Sequence, residues 1–118
     1  MPPRLWRLRV EDMLEAIAEI EAFTTGCSFD DFRTNRMMVQ AILYDFMIIG
    51  EAASSIPEEV RDRHPEISWR QMRLMRNVMV HVYFGVNLVT VWDTVQRNVL
   101  PTATLLCRLL EDEAGGAD

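Results

Sequence analysis

Apolar residues recur every three or four positions through most of the chain, which is the spacing of amphipathic helices. Residues 10–24 place an apolar stripe opposite an acidic face, and Gly26 follows as a helix stop. The stripe consists of Val10, Met13, Leu14, Ile17, Ile20 and Phe23, and the acidic face of Glu11, Asp12, Glu15, Glu19 and Glu21. An acidic face of this kind can dock on a basic partner, although a simply solvated face is the commoner case.

A second helix is predicted from Ser28 to Ser54. Ser28 and Asp31 have the spacing of a capping box. Between residues 37 and 53 the helix is apolar on nearly every side, interrupted by Asp45 and Glu51. In a domain of this size such a helix usually needs cover from outside its own chain, so the pattern indicates a second protomer. Glu51 fits two roles equally well: a partner for an arginine in a site, or a surface or interface ion pair.

The remaining helices follow from their terminal signals. Residues 56–61 form a short helix, because a proline and two acids suit its first turn, and Pro65 ends it. Ser68 begins the next helix, with Gln71 at the capping-box position. After a break at Gly85 and Asn87, a last helix covers residues 88–113.

Pro101 should kink or divide that last helix, and residues 113–118 are expected to fray. No strand pattern, internal repeat or linker is evident. The chain is therefore predicted to be one all-α domain over residues 1–118, a four- to five-helix bundle.

Composition narrows the functional classes. With 118 residues, 49% apolar content and 25% charge, the chain suits one soluble globular domain. A net charge of −6 disfavours broad nucleic-acid binding, which needs a basic face, but a small local site could still act on a phosphodiester. Cys27 and Cys107 match no metal-ligand spacing and suit reduced thiols.

No targeting or membrane segment is evident. The N-terminus lacks the apolar core of a signal peptide, and the most apolar run, residues 37–50, falls short of the ~20 residues needed to span a bilayer. We therefore expect a cytoplasmic protein without membrane attachment.

The candidate chemistry lies in residues 69–83. Placed on a helix at about 100° per residue, this segment has an apolar side and an opposite polar arc of roughly 140°. The apolar side consists of Met72, Met75, Met79 and Val82, and the polar arc of Arg70, Arg73, Arg76, Asn77 and His81. Arg76 and Tyr83 lie two turns apart on nearly one line.

Arginine beside histidine suits phosphodiester chemistry. Guanidinium presents a fixed fork of donors to phosphate oxygens, and imidazole transfers protons near neutral pH. RNA supplies its own nucleophile, the 2′-OH, and the sequence shows no metal-ligand set, so neither a metal nor another cofactor is expected. By spacing alone, a solvated helix face with His81 capping the helix end is the simpler interpretation. Three arginines on one arc of an acidic chain nevertheless favour an anionic ligand.

The octet from Arg76 to Tyr83, RNVMVHVY, resembles the Arg-x4-His-x-Tyr motif of HEPN-domain proteins, specifically the HepT-like ribonuclease toxins. The resemblance extends to residues 48–53, 65–69, 83–87 and 91–92, in the family's order and spacing, and covers roughly residues 10–110. It implies a homodimeric HEPN-type helical bundle in which the two motif helices meet in a cleft at the interface.

The resemblance also implies the activity and its control. RNA would be cleaved without metal: Arg76 would bind phosphate and stabilise the transition state, His81 would act as general acid or base, and Asn77 would assist. An MntA-like minimal nucleotidyltransferase antitoxin would add AMP to Tyr83 and so neutralise the toxin. Val82 departs from the pattern, because many members have aspartate at that position.

Further residues and other classes of function remain open. Arg70, Arg73 and Glu51 are candidates for phosphate or RNA binding or for support of the motif. The acidic first helix and the net charge suit a non-catalytic partner or scaffold of a nucleotidyltransferase. A third interpretation is an oligomeric helical domain whose arginine face, formed by Arg70, Arg73 and Arg76, binds a nucleotide without chemistry.

Overall fold

The computed structural model describes the backbone of residues 3–83 and 87–116 and the side chains of residues 5–77 and 87–114. Helices account for most of these residues and no strand occurs among them, which confirms the all-α class. The helices are α1 (Pro3–Thr24), α2 (Phe29–Thr34), α3 (Arg36–Ser54), α4 (Glu58–Arg63), α5 (Trp69–Tyr83), α6 (Leu88–Thr94) and α7 (Leu100–Gly116), with a π-helical turn at Val95–Val99. The long helices α1, α3, α5 and α7 form the bundle, and the shorter ones connect them.

The central helix is α3. It packs against α1 and α5, with α2 near its start, while α7 packs against α1. Ile42, Phe46 and Ile49 are fully buried along α3. Burying one such side chain stabilises a fold by roughly 1.5–3 kcal/mol, so α3 is a main source of stability. The molecule measures 49 × 28 × 20 Å.

The central position of α3 changes the argument for a second protomer. Helices of the same chain cover most of its apolar surface, and only Met37, at 81% exposure, and Tyr44, at 56%, are large exposed hydrophobic residues on it. The apolar pattern therefore reflects burial within one chain. The homodimer stays a prediction, and it rests on the family resemblance.

By length and composition alone, α3 could also cross a membrane. Its nineteen residues and mean hydropathy of 1.2 meet that requirement, although residues 37–50 by themselves are too few. The core helix of a soluble protein has the same properties, and α3 is buried against three other helices. Packing explains its apolar character without a bilayer.

The first helix starts earlier than the pattern predicts. It begins at Pro3 instead of near Val10, because proline is tolerated in the first turn and Trp6 packs into the core. Its end agrees with the prediction: Gly26 follows with φ of 76°, a left-handed conformation in which a Cβ is strained.

The predicted helix from Ser28 to Ser54 is divided in two. The capping box is confirmed at its start, with Ser28 and Asp31 exchanging side-chain-to-backbone hydrogen bonds of 3.0 and 3.1 Å. The break is at Asn35, whose extended backbone ends α2 while its side chain accepts a hydrogen bond from the Met38 N–H at 3.0 Å. Asparagine can replace a helical hydrogen bond in this way, which hydrophobic periodicity does not reveal.

The other boundaries agree more closely. Pro57 lies immediately before α4, at the N-cap position and not at the first helical residue. Asn87 caps α6 by accepting a hydrogen bond from the Val89 N–H at 2.9 Å, which confirms its part of the predicted break, and Gly85 lies outside the described residues.

Pro101 divides the last helix through a π-helical turn. Proline lacks the N–H that would continue the α-helical pattern, and its ring crowds the preceding turn. The Leu100 N–H bonds to the Val95 carbonyl, five residues back, so one extra residue is accommodated before the proline. Beyond Pro101, α7 continues to Gly116, so residues 113–116, expected to fray, are helical.

Glu113 joins the end of α7 to the segment that precedes α5. Its carboxylate accepts a hydrogen bond from Arg63 Nε at 3.0 Å and lies 2.9 Å from Nε2 of the buried His64. The His64 carbonyl accepts a hydrogen bond from the Trp69 indole N–H at 3.0 Å. The C-terminal helix thus helps to fix the point at which α5 begins.

We expect Glu113→Gln to lower the free energy of unfolding by about 1–2 kcal/mol at pH 7, because charge-assisted hydrogen bonds are lost at a partly screened site. The Arg63 hydrogen bond, and then that of His64, lowers the pKa of Glu113 from 4.5 to about 2. A lowered pKa stabilises the fold above pH 4.5, and this contribution is lost as the pH falls towards 2. Urea unfolding should show a smaller difference in stability between wild type and Glu113→Gln at pH 2.5 than at pH 7. An equal loss in Glu111→Gln, an exposed residue of the same helix, would contradict the assignment.

Candidate active site

One face of α5 is buried and the opposite face is exposed. Trp69, Met72 and Met75 pack into the core, as their spacing predicts. Met79 and Val82, predicted for the same stripe, have side chains outside the described part of the chain. Burial of this face against α3 leaves the arginine face of α5 turned outward.

Gly50 is the point of close approach between α3 and α5. A Cβ added there would lie 2.6 Å from the backbone nitrogen of Arg76 and 2.9 Å from its Cβ. Both distances are shorter than atoms tolerate, so a residue with a side chain could not occupy this position without moving α5. The missing side chain of Gly50 therefore sets where the backbone of Arg76 lies.

Glu51, the next residue of α3, contacts the arginine itself. Its Oε1 accepts a hydrogen bond from Arg76 Nη1 at 3.0 Å. The side chains are 64% and 49% exposed, so solvent screens the pair and its contribution to stability is small. The contact fits both interpretations of Glu51. It is a surface ion pair, and it also orients an arginine of the predicted site.

Four of the predicted polar residues of α5 line one concavity, and the side chain of the fifth, His81, lies outside the described residues. A hollow of about 310 Å³ is lined by Ser54, Arg70, Arg73, Leu74, Arg76 and Asn77. The sequence predicts four of these lining residues, and all four are exposed: Arg70, Arg73, Arg76 and Asn77. Among the residues with described side chains, Arg76 has a carboxylate within salt-bridge distance, whereas Arg70 and Arg73 have none. These two guanidinium groups are available to an anionic ligand.

A second, larger hollow adjoins the first. It has a volume of about 760 Å³, lies along the connection from α4 to α5, and shares Arg70 and Arg73 with the smaller hollow. Arg61 adds a third guanidinium, while Glu58 and Asp62 contribute acidic groups. Arg61 and Ser54 were not singled out from the sequence, because they lie on other helices and only the fold brings them to the arginine face.

His81 and Tyr83 belong to the same helix as Arg76, since the backbone of α5 extends to Tyr83. Their side chains lie outside the described residues, as does that of Val82. The structure therefore places Arg70, Arg73, Arg76, Asn77 and Glu51 around one site and leaves the two remaining motif residues as sequence predictions.

An acidic pocket lies between α1 and α3, apart from the arginine face. Asp45 is 2% exposed although it carries a carboxyl group. Burial, a hydrogen bond with Glu19 and the charges of Glu19 and Glu15, in that order of importance, together raise its pKa from 3.8 to about 7. The sequence indicates that Asp45 is unusual, since it interrupts the most apolar stretch of the chain. The sequence does not predict which residues of α1 lie beside it.

We expect Asp45→Asn to stabilise the protein at pH 8 by about 1–3 kcal/mol. A carboxyl with a raised pKa contributes stability below its unfolded value of 3.8 and loses it as the pH rises through about 7. Asparagine has the shape of the neutral acid and never ionises. Urea unfolding should show a larger gain at pH 8 than at pH 5, with Asp112→Asn on the exposed surface as the control. Equal effects at the two pH values would contradict the buried ionisation.

Comparison with known proteins places the chain in a family. Residues 13–109 match the model described as Ribonuclease HepT-like. A protein named "Probable ribonuclease HepT" from Thermococcus cleftensis is 41% identical over 90 residues, covering 76% of this chain and 82% of the relative. A protein described as a "putative RNase" from Methanocaldococcus jannaschii is 30% identical over 115 residues, covering 98% and 95%. No solved structure matches the chain. The matched span contains the whole of α3 and α5, and the chain belongs to the HepT-like ribonuclease family.

Proposed function

We propose that this protein is an endoribonuclease toxin that cleaves RNA without a metal ion, with Arg76, Asn77 and His81 as its catalytic residues. The observation that carries the proposal is the placement of Arg76. It is exposed beside Asn77 at a concave surface, it is held by Glu51, and it lies on the helix that carries His81, in a chain of the HepT-like ribonuclease family.

The reaction needs only groups of this type. The 2′-oxygen attacks the adjacent phosphorus, the bond from phosphorus to the 5′-oxygen breaks, and the products carry a 2′,3′-cyclic phosphate and a 5′-hydroxyl. His81 transfers a proton during this exchange, as base towards the 2′-OH or as acid towards the leaving 5′-oxygen. Arg76 stabilises the negative charge that develops on the phosphoryl oxygens, with Asn77 as a further hydrogen-bond donor.

The flanking arginines suit the binding of RNA. Arg70 and Arg73 lie between the two hollows, so a strand that reaches Arg76 would pass both of them. Contacts of guanidinium groups with phosphates give affinity without base specificity. The net charge of the chain disfavours broad nucleic-acid binding. The arginine face is nevertheless sufficient for RNA binding, because contact with the substrate needs only one basic surface.

Control of the activity is assigned to Tyr83. In the proposed pair, an MntA-like nucleotidyltransferase antitoxin transfers AMP from ATP to the phenol oxygen of Tyr83, two residues beyond His81, with release of pyrophosphate and the phenol proton. The added phosphate brings a negative charge to the helix of the arginines and can occupy them in place of RNA. The proposal includes a homodimer in which two α5 helices face one another, and a cytoplasmic location.

The test is cleavage of RNA by purified, unmodified protein in the presence of EDTA, followed by analysis of the product ends. We expect cleavage with 2′,3′-cyclic phosphate ends and none at a position where the substrate carries a 2′-deoxyribose. Cleavage of the 2′-deoxy substrate, or cleavage that appears only when Mg²⁺ is added, would contradict the mechanism.

The acidic pocket between α1 and α3 favours a second candidate, a non-catalytic partner or scaffold of a nucleotidyltransferase. A protein of this kind would fail to cleave RNA and would bind the nucleotidyltransferase equally well as wild type and as His81→Ala. Growth arrest on expression that depends on His81 would exclude it.

A further inference from the structure

The pocket between α1 and α3 is a compact group of carboxylates. It encloses about 370 Å³ and is lined by Asp12, Glu15, Ala16, Glu19, Tyr44, Asp45 and Ile48. None of these residues lines either hollow of the arginine face. The pocket is therefore a separate feature of the molecule, and the cleavage chemistry does not use it.

Asp45 is the group that requires an explanation. Asp45 lines the pocket and is almost fully buried, and no donor among the described side chains or backbone groups reaches its Oδ2. Its interaction with Glu19 joins two acids. If both are ionised, neither can donate a hydrogen bond to the other, so either a shared proton or an external cation must compensate the buried charge. In the state in which both carboxyls are ionised, the pocket therefore offers a place for an external cation.

The geometry favours guanidinium over a metal ion. Within the described part of the chain, no three histidine, cysteine or acidic residues are arranged to hold a metal. A guanidinium group is planar and can donate to two separate carboxylates, and it sheds water more readily than an ammonium group. Tyr44, which is largely exposed, offers a ring, and Ile48 offers an apolar wall to the flat faces of the guanidinium and its methylene groups.

Charge complementarity indicates which kind of molecule supplies the cation. The exposed glutamates Glu11, Glu15 and Glu19 extend the acidic surface along α1, and the whole chain carries a net charge of −6. Arg9 is already paired, at 3.2 Å, with Asp12, which lines the pocket. This acidic surface would repel another acidic surface and attract a basic protein. We propose that the pocket receives an arginine side chain from a basic segment of a different protein.

The test is a titration of ¹⁵N-labelled protein with the peptide acetyl-Gly-Arg-Gly-amide, followed by amide chemical shifts. We expect saturable shifts in residues 12–19 and 44–48, and no such shifts with the matched citrulline peptide, which has the shape of arginine without its charge. Asp45→Asn should weaken binding by at least about tenfold, and Asp112→Asn should leave it unchanged. The Asp45→Asn protein is a neutral isostere that we expect to fold well, so loss of binding cannot be attributed to unfolding.

Three outcomes would overturn the proposal. The first is binding of the arginine peptide that is unaffected by Asp45→Asn or equalled by the citrulline peptide. The second is a set of shifts in the same residues with Mg²⁺ or Mn²⁺ but not with the peptide, which would make the site a metal site. The third is concentration-dependent dimerisation in analytical ultracentrifugation that Asp45→Asn abolishes, because the occupant would then be a second copy of this chain.

Discussion

Replacing His81 or Arg76 by alanine is expected to reduce the rate of RNA cleavage by about 10²–10⁴-fold, the range typical for a general acid or base or for a group that stabilises transition-state charge. The Arg76 side chain is half exposed and contributes little to the core, so its loss should leave stability nearly unchanged. Arg76→Lys should recover only part of the rate, because an ammonium group retains the charge but lacks the planar fork of donors.

The measurement is single-turnover cleavage with enzyme in excess, so that the chemical step is observed separately from substrate binding. Arg97→Ala is the matched control, since Arg97 is exposed on the π-helical turn and lines neither hollow of the arginine face. Glu51→Gln should change the rate by no more than a few fold, because glutamine can still accept a hydrogen bond from Arg76. Equal rates for wild type and His81→Ala would show that the proposed mechanism is wrong.

Gly50→Ala is expected to lower the free energy of unfolding by about 1–3 kcal/mol and to reduce cleavage by the protein that remains folded. The added methyl group would lie within 3 Å of the backbone nitrogen and Cβ of Arg76, and backbone atoms cannot rotate away as a flexible side chain can. Relief therefore requires α5 to move from α3, which carries Arg76 away from Glu51.

A second glycine provides the matched control for this substitution. Gly26 has φ of 76°, and a Cβ there would have nothing within 4 Å. Gly26→Ala should therefore cost about 1–2 kcal/mol from backbone strain alone and leave the rate of the folded protein unchanged. Chemical denaturation together with single-turnover cleavage well below the melting temperature would separate the two effects. A Gly50→Ala protein that is destabilised but cleaves at the wild-type rate would show that the helix contact does not position Arg76.

The sequence predicts those features that depend on neighbouring residues along the chain. Hydrophobic periodicity indicates the helices, and the Ser28 and Asp31 pair marks a start, because both partners of each hydrogen bond are a few residues apart. Periodicity misses the break at Asn35, because a side-chain hydrogen bond causes it, and the early start at Pro3, because that start depends on the packing of Trp6 in the core. The apolar pattern of α3 likewise predicts a second protomer, because that pattern does not reveal that α1 and α5 of the same chain cover the helix.

The candidate site divides in the same way. Arg70, Arg73, Arg76 and Asn77 share one helix, so their common exposure follows from spacing. The contact between Glu51 and Arg76 spans twenty-five positions, and sequence left it as one of two interpretations. The environment of Asp45 depends on α1, a separate helix, and no local pattern indicates its raised pKa.

The contact at Gly50 also limits how the protein can be regulated. Gly50 is the single glycine of α3, so α5 can approach the backbone of α3 this closely at one position only. Sliding α5 along α3 or turning it about its axis would bring a side chain into the space that Gly50 leaves open. Because such movements of the arginine face are disfavoured, we expect an inhibitor of the proposed activity to cover it in place, either with a bulky group attached to the helix or with the surface of another protein.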